Sequence, residues 1–345
     1  MQSIKKTTPI SELGEFGLIE HLTKNITIKN SQTIKGIGDD AAVLDYKSKK
    51  ILITTDLLVE GIHFNLVYTP LKHLGYKSVV VNLSDICAMN GVPRQVMVSL
   101  AVSSKFSVEA MEELYEGIQM VCEKYGVDLI GGDTSSSLTG LFISVTAIGE
   151  AEEDEIVYRS GAKVTDLICV SGDLGGAFMG LQLLEREASV FTDTSGIQPD
   201  LSGHDYILGR QLKPEPRIDI IRMLKVAGIK PTSMIDISDG LSSEIIHLCK
   251  NSKTGCRIYS DRIPIDSTTC NMAKEFNIAP ETTALNGGED YELLFTVSLS
   301  EYEKIKALKE ISIIGNITEA SDGLNVVSPD GNFIPITAQG WNAIK

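Results

Sequence analysis

The residues that could do chemistry in this chain are carboxylates, and their neighbours set them apart. Asp39 and Asp40 follow Gly36-Ile37-Gly38, Asp133 follows Gly131-Gly132, and Glu289-Asp290 follow Gly287-Gly288. Asp56 follows Thr54-Thr55 at what reads as a strand end. Asp85 lies in the apolar run VVVNLSD, and Asp236 and Asp239 flank Ile237-Ser238 ahead of a glycine and a helix. Solvated acids ordinarily sit among other charges. These sit beside glycines, where backbone can approach a ligand closely, or at the ends of apolar strands, where loops present functional groups.

A buried carboxylate without a partner is costly, and the nearby basic residues are too few to pair them all. Hard divalent cations resolve that conflict, because Mg²⁺ prefers carboxylate and hydroxyl oxygens plus water. Such ions also reverse the repulsion between carboxylates and phosphate, which is the charge clamp that phosphoryl transfer uses. Zinc is disfavoured: His63 stands alone near these motifs, and no Cys/His cluster has ligand spacing. Taken singly, each motif has a plainer reading. G-x-G-D-D reads as a turn, T-T-D as a helix cap, and Ser238 or Asp239 as the cap of the helix that follows. His63 and Trp341 read as packing residues. The joint occurrence of the acids is what argues for chemistry.

The common nucleotide motifs are missing. Gly75-Tyr76-Lys77-Ser78 lacks the upstream glycine of a P-loop, and Gly36-Ile37-Gly38 meets Ala41 where a dinucleotide fold needs its third glycine. Gly172-Asp173-Leu174-Gly175-Gly176, between a strand and a helix, is a phosphate-loop candidate on weaker grounds. No G-x-S-x-G elbow occurs.

The elements that must position these acids alternate between strand and helix. Strands are expected at 50–55, 94–102, 127–130, 141–149, 167–171, 234–237 and 290–298. Helices are expected at 11–24, 74–89, 107–125 (with Ser107 as N-cap), 176–186, 218–227, 240–251 and 301–309. Residues 188–206 read as a polar surface insertion. The pattern is that of α/β or α+β domains. The charged stretch at 151–166 reads as a junction, so two domains are expected, 1–150 and 151–345. The 345 residues suffice for both.

A formal charge of −15 argues against nonspecific binding to nucleic acid or to an anionic membrane. The six cysteines, from Cys87 to Cys270, form no C-x-x-C pair, which argues for a reducing compartment. No run of apolar residues is long enough to span a bilayer, and the opening residues carry no apolar signal core. A soluble cytoplasmic protein is expected.

Read in order, the motifs GIGDDAAVL (36–44), TTDLLVEGIHF (54–64), VNLSDICAMNG (81–91), YGVDLIGGDT (125–134), YRSGAKVTD (158–166), IDISDG (235–240) and GGEDYELLF (287–295) resemble thiamine-monophosphate kinase. The resemblance runs from GEFGLI at 14–19 to GW at 340–341. It implies an aminoimidazole ribonucleotide synthetase-like fold of two α/β domains. The N-terminal one would carry the Mg/ATP site and a sheet that pairs in a homodimer, and the C-terminal one would cover the cleft. The implied reaction is ATP plus thiamine monophosphate giving ADP plus thiamine diphosphate.

Motif by motif, the resemblance implies Asp40, Thr54, Thr55, Asp56, Asp85, Asp133, Asp236 and Asp239 as ligands of several Mg²⁺ ions. Of these, Asp56, Asp85 and Asp133 stand closest to the chemistry. It implies Tyr115, Gly132, Asp133, Arg159 and Ser238 as ATP contacts, and His63, Glu289 and Trp341 as contacts to thiamine monophosphate. The nearest alternatives are other enzymes of that superfamily. A selenophosphate synthetase is expected to carry a reactive cysteine early, and the first here is Cys87. The hydrogenase-maturation enzyme is expected to end in cysteine, and this sequence reads Ala-Ile-Lys. A noncatalytic Mg-nucleotide-binding regulator could dispense with some of the acids, yet every matched position holds one.

Overall fold

The computed structural model describes residue 8 and residues 21–35, 43–46, 49–193 and 201–338. The chain forms two compact units. Residues up to Ile86 together with Gly91–Glu153 make the first. Cys87–Asn90 together with Asp154 onward make the second.

The first unit is built on a four-stranded sheet of β3 (Lys50–Val59), β4 (Val92–Ser103), β5 (Asp128–Ser137) and β6 (Phe142–Ala151), in the order β3-β6-β4-β5. β4 and β5 are parallel and the other pairs antiparallel. A small ladder of β1 (Thr33–Lys35) and β2 (Val43–Leu44) lies apart from it. Side chains alternate across β3. Leu52 and Leu58 are buried and Thr54 and Asp56 half-buried, while Ile51, Ile53, Thr55 and Leu57 face outward.

The inner face meets α1 (Leu71–Ala88), whose Asp85 and Asn82 reach β3. α1 carries almost no amphipathic pattern, and from Leu74 to Ala88 only Asp85 escapes full burial. A helix without a separate polar face belongs in a core, and the buried Lys77, Ser78, Asn82 and Ser84 are taken in with the apolar residues. α2 (Val108–Tyr125) is amphipathic instead, and it starts where the sequence places it: the Ser107 hydroxyl accepts from Ala110 N–H at 3.3 Å. Gly126 at φ +67° ends it.

The second unit centres on a seven-stranded sheet in the order β13-β12-β9-β11-β7-β10-β8. The strands are β7 (Leu167–Ser171), β8 (Ser233–Asp236), β9 (Gly255–Tyr259), β10 (Leu293–Val297), β11 (Ile311–Thr318), β12 (Leu324–Val327) and β13 (Phe333–Pro335). All pairs are antiparallel except β9 with β12. β7, β8 and β10 are buried throughout, as continuous apolar runs must be.

One core packs α6 (Leu241–Ser252) and α8 (Pro280–Asn286) on this sheet through Leu241, Ile245, Leu248 and Ala284. A smaller core joins α3 (Gly176–Asp193), α4 (Asp205–Leu212) and α7 (Ser267–Glu275) through Met179, Leu183, Ile207 and Met272. α5 (Ile218–Val226) and α9 (Tyr302–Lys306) complete the described helices that bear on the argument.

Two expectations are corrected. β3 runs on to Val59 and β5 to Ser137, so Asp56 and Asp133 lie within strands and not at their ends. Of the stretch expected to be a polar insertion, residues up to Asp193 continue α3 and Asp205 opens α4. Five of the six cysteines are buried, and all six are free thiols. Among the described residues, no helix is long and apolar enough to cross a membrane.

Candidate active site

In the first unit, the pleat of β3 puts Thr54 and Asp56 on one face, opposite α1. The Thr54 hydroxyl donates to Asp85 Oδ2 at 2.6 Å, and Asp56 N–H donates to Asn82 Oδ1 at 3.1 Å. Asn82 is itself anchored one turn back, on Ser78 O at 3.1 Å. Burial, with the Asp85 charge adding to it, pushes the Asp56 carboxyl up to about 6. Two facing carboxylates that disfavour each other's charge, with a hydroxyl beside them, are an oxygen-only donor set. That set suits a hard divalent cation and not zinc. Among the described residues, no three His, Cys, Asp or Glu side chains gather closely enough to hold a metal alone. Asp40, also expected to be a ligand, lies outside the described residues.

Thr55 faces the other side of the sheet, where its hydroxyl donates to Val145 O at 3.1 Å and accepts from Thr146 at 3.0 Å. Asp133 is exposed on β5, the edge strand opposite β3. The register Asp56–Val145–Val98–Gly132 spans three strand spacings, roughly 14 Å at ordinary sheet geometry. The structure therefore brings Thr54, Asp56 and Asp85 together and leaves Asp133 apart. Gly132 has a steric reason of its own: a Cβ there would stand 1.7 Å from Val98 O. His63 is exposed, and its Nδ1 accepts from Val59 N–H at 3.0 Å, so Nε2 carries the proton of the neutral ring. Tyr115 sits buried on α2, and burial pushes its hydroxyl up to about 12.

In the second unit, two motifs some fifty residues apart fold against each other. Glu289 N–H donates to Ser238 O at 2.7 Å, and Tyr291 N–H to Ile237 O at 2.9 Å. Gly288 adopts φ +72°, and a Cβ there would meet Ser238 O at 2.6 Å. Glu289 (φ +62°) and Tyr291 (φ +52°) are left-handed without being glycine, a conformation that persists only where surroundings impose it. Asp236 is buried at the end of β8. Asp239 is half-buried; burial, with the Glu289 charge adding to it, raises its carboxyl against the opposing pull of His247.

The expected cap is different from what is found. Gly240 is the N-cap of α6 and makes no side-chain cap bond. Glu244 instead reaches back, its Oε1 accepting from Ser238 N–H at 3.2 Å and Asp239 N–H at 2.8 Å. Neither Ser238 nor Asp239 caps the helix with its side chain. Arg159 is exposed, and Trp341 lies outside the described residues.

Sequence reasoning missed the arginines behind this turn. Glu292 is fully buried between Arg210 (Oε1, 2.8 Å) and Arg217 (Oε2, 2.5 Å), and Ser171 donates to it as well, at 2.5 Å. Asp290 is buried too, and burial pushes it up to about 7 although Arg210 opposes the shift. Its carboxylate accepts from Gly175 N–H at 2.8 Å and Ala177 N–H at 3.4 Å. The phosphate-loop candidate at 172–176 therefore already has an anion on its amides, supplied by the chain itself. The signal was present in GGEDYE: a second and third acid beside the first, just ahead of an apolar strand.

Comparison with known proteins follows the same lines. Residues 38–151 match the family described as AIR synthase related protein, N-terminal domain. The chain is 35% identical over 339 residues to the thiamine-monophosphate kinase of Bacillus subtilis, covering 96% of this chain and 100% of that protein. Among solved structures it is similar to one described as AaThiL complexed with AMPPCP and TMP, with a TM-score of 0.74 and 33% identity over 99% of this chain and 100% of that one. It is also similar to the thiamine-monophosphate kinase of Stenotrophomonas maltophilia, with a TM-score of 0.78 and 29% identity over 93% and 98%. The fold is thus that of the aminoimidazole ribonucleotide synthetase-like proteins, and likeness at this identity over this length reaches past the fold. This chain belongs to the thiamine-monophosphate kinase family.

Proposed function

We propose that this chain transfers the γ-phosphoryl group of ATP directly to thiamine monophosphate, giving ADP and thiamine diphosphate. The observation that carries the reading, beside family membership, is the Asp56–Asp85 pair, two carboxylates whose facing geometry calls for a cation. Thr54, Asp56 and Asp85 in the first unit and Asp236 and Asp239 in the second are the residues that would hold Mg²⁺. When bound, Mg²⁺ neutralises phosphate charge at the reacting centre. Asp40 is assigned to the same ions, and Gly132, Asp133, Arg159 and Ser238 to ATP, Asp133 standing three strand spacings from Asp56.

The acceptor's phosphate oxygen forms the new bond to the γ-phosphorus as the bond to the β–γ bridging oxygen breaks. That oxygen is already ionised near neutral pH, so no proton has to be removed and no strong general base is needed. The protein's task is positioning and charge balance. His63 Nε2–H, Glu289 and Trp341 are assigned to thiamine monophosphate, with Glu289 facing its cationic thiazolium.

We infer further that two copies assemble through the sheet of the first unit. Ile51, Ile53 and Leu57 on its outer face are 38%, 68% and 54% exposed, a patch that a partner would cover. The reaction is tested with γ-labelled ATP. With thiamine monophosphate present, label should appear in thiamine diphosphate, and with ATP alone the protein should stay unlabelled. A stoichiometric label on the protein that chases into product would replace direct transfer with a phosphoenzyme.

A further inference from the structure

The strand that carries Thr54 and Asp56 leads directly into the turn that carries His63. β3 ends at Val59, which lies opposite Phe142 of β6. The next pair in that register is Glu60 with Leu141. In an antiparallel ladder such a pair exchanges two backbone bonds. Here the first is present, Glu60 N–H donating to Leu141 O at 3.1 Å. The return bond goes to a side chain: Leu141 N–H donates to Glu60 Oε2 at 2.7 Å. The carboxylate takes the place of a backbone carbonyl, so the chain can turn out of the sheet while the amide of the fully buried Leu141 keeps an acceptor. Gly140 makes room for it. At φ +70°, a Cβ on that residue would stand 2.9 Å from Glu60 Oε2.

The turn beyond Glu60 is braced on itself. Ile62 N–H and His63 N–H both donate to Val59 O, at 3.1 and 2.9 Å, and Gly61 N–H donates to Phe64 O at 2.8 Å. Val59 N–H donates to His63 Nδ1 at 3.0 Å, which ties the imidazole to the last residue of β3. Gly61 takes φ +81°, and Phe64 is buried. Backbone and ring thus form one piece, and Glu60 fastens its foot to Leu141. The far side of that joint is held as well: the Ser137 hydroxyl donates to Thr139 O at 2.6 Å and accepts from Thr139 N–H at 3.1 Å.

We infer that Glu60 is a positioning residue whose carboxylate fixes the turn that presents His63 to the acceptor, an inference that rests on the reading of His63 as a contact to thiamine monophosphate. Glu60 acts through His63, so its loss is felt in binding of the acceptor and not in binding of ATP.

The test measures KM for thiamine monophosphate, KM for ATP and kcat on the full-length enzyme, for wild type, Glu60→Ala, Glu60→Gln, His63→Ala, and Glu60→Ala combined with His63→Ala. Glu60→Ala should raise KM for thiamine monophosphate about tenfold, the usual worth of one hydrogen bond to a charged group, and leave KM for ATP as in wild type. Glu60→Gln keeps an acceptor oxygen for the Leu141 amide and should recover most of the loss. The combined variant should be no worse than His63→Ala alone, because a residue that acts through another then has nothing left to place. Losses that multiply in the combined variant, or that fall equally on both substrates, would mean that Glu60 only supports the fold, which overturns the inference. If Glu60→Ala does not fold, Gly140→Ala decides by the same comparison, since its Cβ would push the carboxylate off Leu141 without removing it. A wild-type KM for thiamine monophosphate in His63→Ala would remove the reading of His63 and this inference with it, a result distinct from multiplied losses in an enzyme that needs His63.

Discussion

Replacing Asp56 by asparagine should stabilise the metal-free protein and abolish its activity. In the folded chain this carboxyl is pushed from 3.8 to about 6 by burial and by Asp85. A shift of about two units, at about 1.4 kcal/mol each, makes the ionised form cost about 3 kcal/mol at neutral pH. The sign follows from linkage. The folded state binds this proton more tightly than the unfolded state, so stability falls as pH rises from about 4 to about 6 and stays low above that. Asparagine keeps the size of the side chain and removes the charge, while Thr54 still holds Asp85.

Thermal unfolding in EDTA at pH 8 should therefore show a Tm higher than wild type by up to roughly 10 °C, taking about 2–4 °C per kcal/mol. At pH 4 the difference should vanish. Added Mg²⁺ should raise the wild-type Tm more than that of the variant, and turnover should fall by a factor on the order of a hundred or more, the scale of losing one charge-stabilising group. A variant less stable than wild type at pH 8, or a gain equal at both pH values, would refute the argument that Asp56 and Asp85 repel each other in the metal-free fold.

The remaining predictions concern packing, the loop and assembly. Gly132→Ala should cost more than about 3 kcal/mol in urea unfolding or prevent folding, since its Cβ would overlap the Val98 carbonyl at 1.7 Å and backbone cannot swing away. Glu244→Ala should lose about 1–2 kcal/mol and lower activity by loosening the Ser238–Asp239 amides. Glu244→Gln keeps an acceptor and should retain most of both, as read by urea melts and initial rates. Ile53→Asp, at a side chain 68% exposed on the outer sheet face, should convert a dimer to a monomer in light scattering with little loss of secondary structure by circular dichroism.

What could be read in the sequence was local. Leu167–Ser171 was expected as a strand and is β7 with the same bounds, because an uninterrupted apolar pentapeptide leaves no other choice. Ser107 was expected to cap α2 and does so. Long-range pairing was not readable: that Asp56 faces Asp85 depends on β3 lying against α1, and β3 finds its partner β6 about ninety residues away.

The extent of β3 could have been found, since Leu52, Thr54, Asp56 and Leu58 repeat every second residue. α4 left no such mark. It is only eight residues long, it follows a polar stretch, and it is held by a buried arginine whose partners lie eighty residues further on. The short strands β9, β12 and β13 were not read either, being three to five residues each with no periodicity to reveal them. Of the three acids in GGEDYE the sequence singles out Glu289 and Asp290 beside their glycines and gives no sign of Glu292, whereas the fold gives the three different partners.

The central claim is that the acceptor is a phosphate, and it is tested most directly by offering the enzyme ATP and Mg²⁺ with either thiamine monophosphate or free thiamine, and measuring ADP together with the thiamine products. The account predicts one thiamine diphosphate per ADP from the monophosphate and no consumption of free thiamine, because an alcohol acceptor needs a base to take its proton and, on the proposed function, the acids nearest the chemistry would be occupied by Mg²⁺. Comparable kcat/KM on free thiamine, or ADP release without thiamine diphosphate, would contradict it.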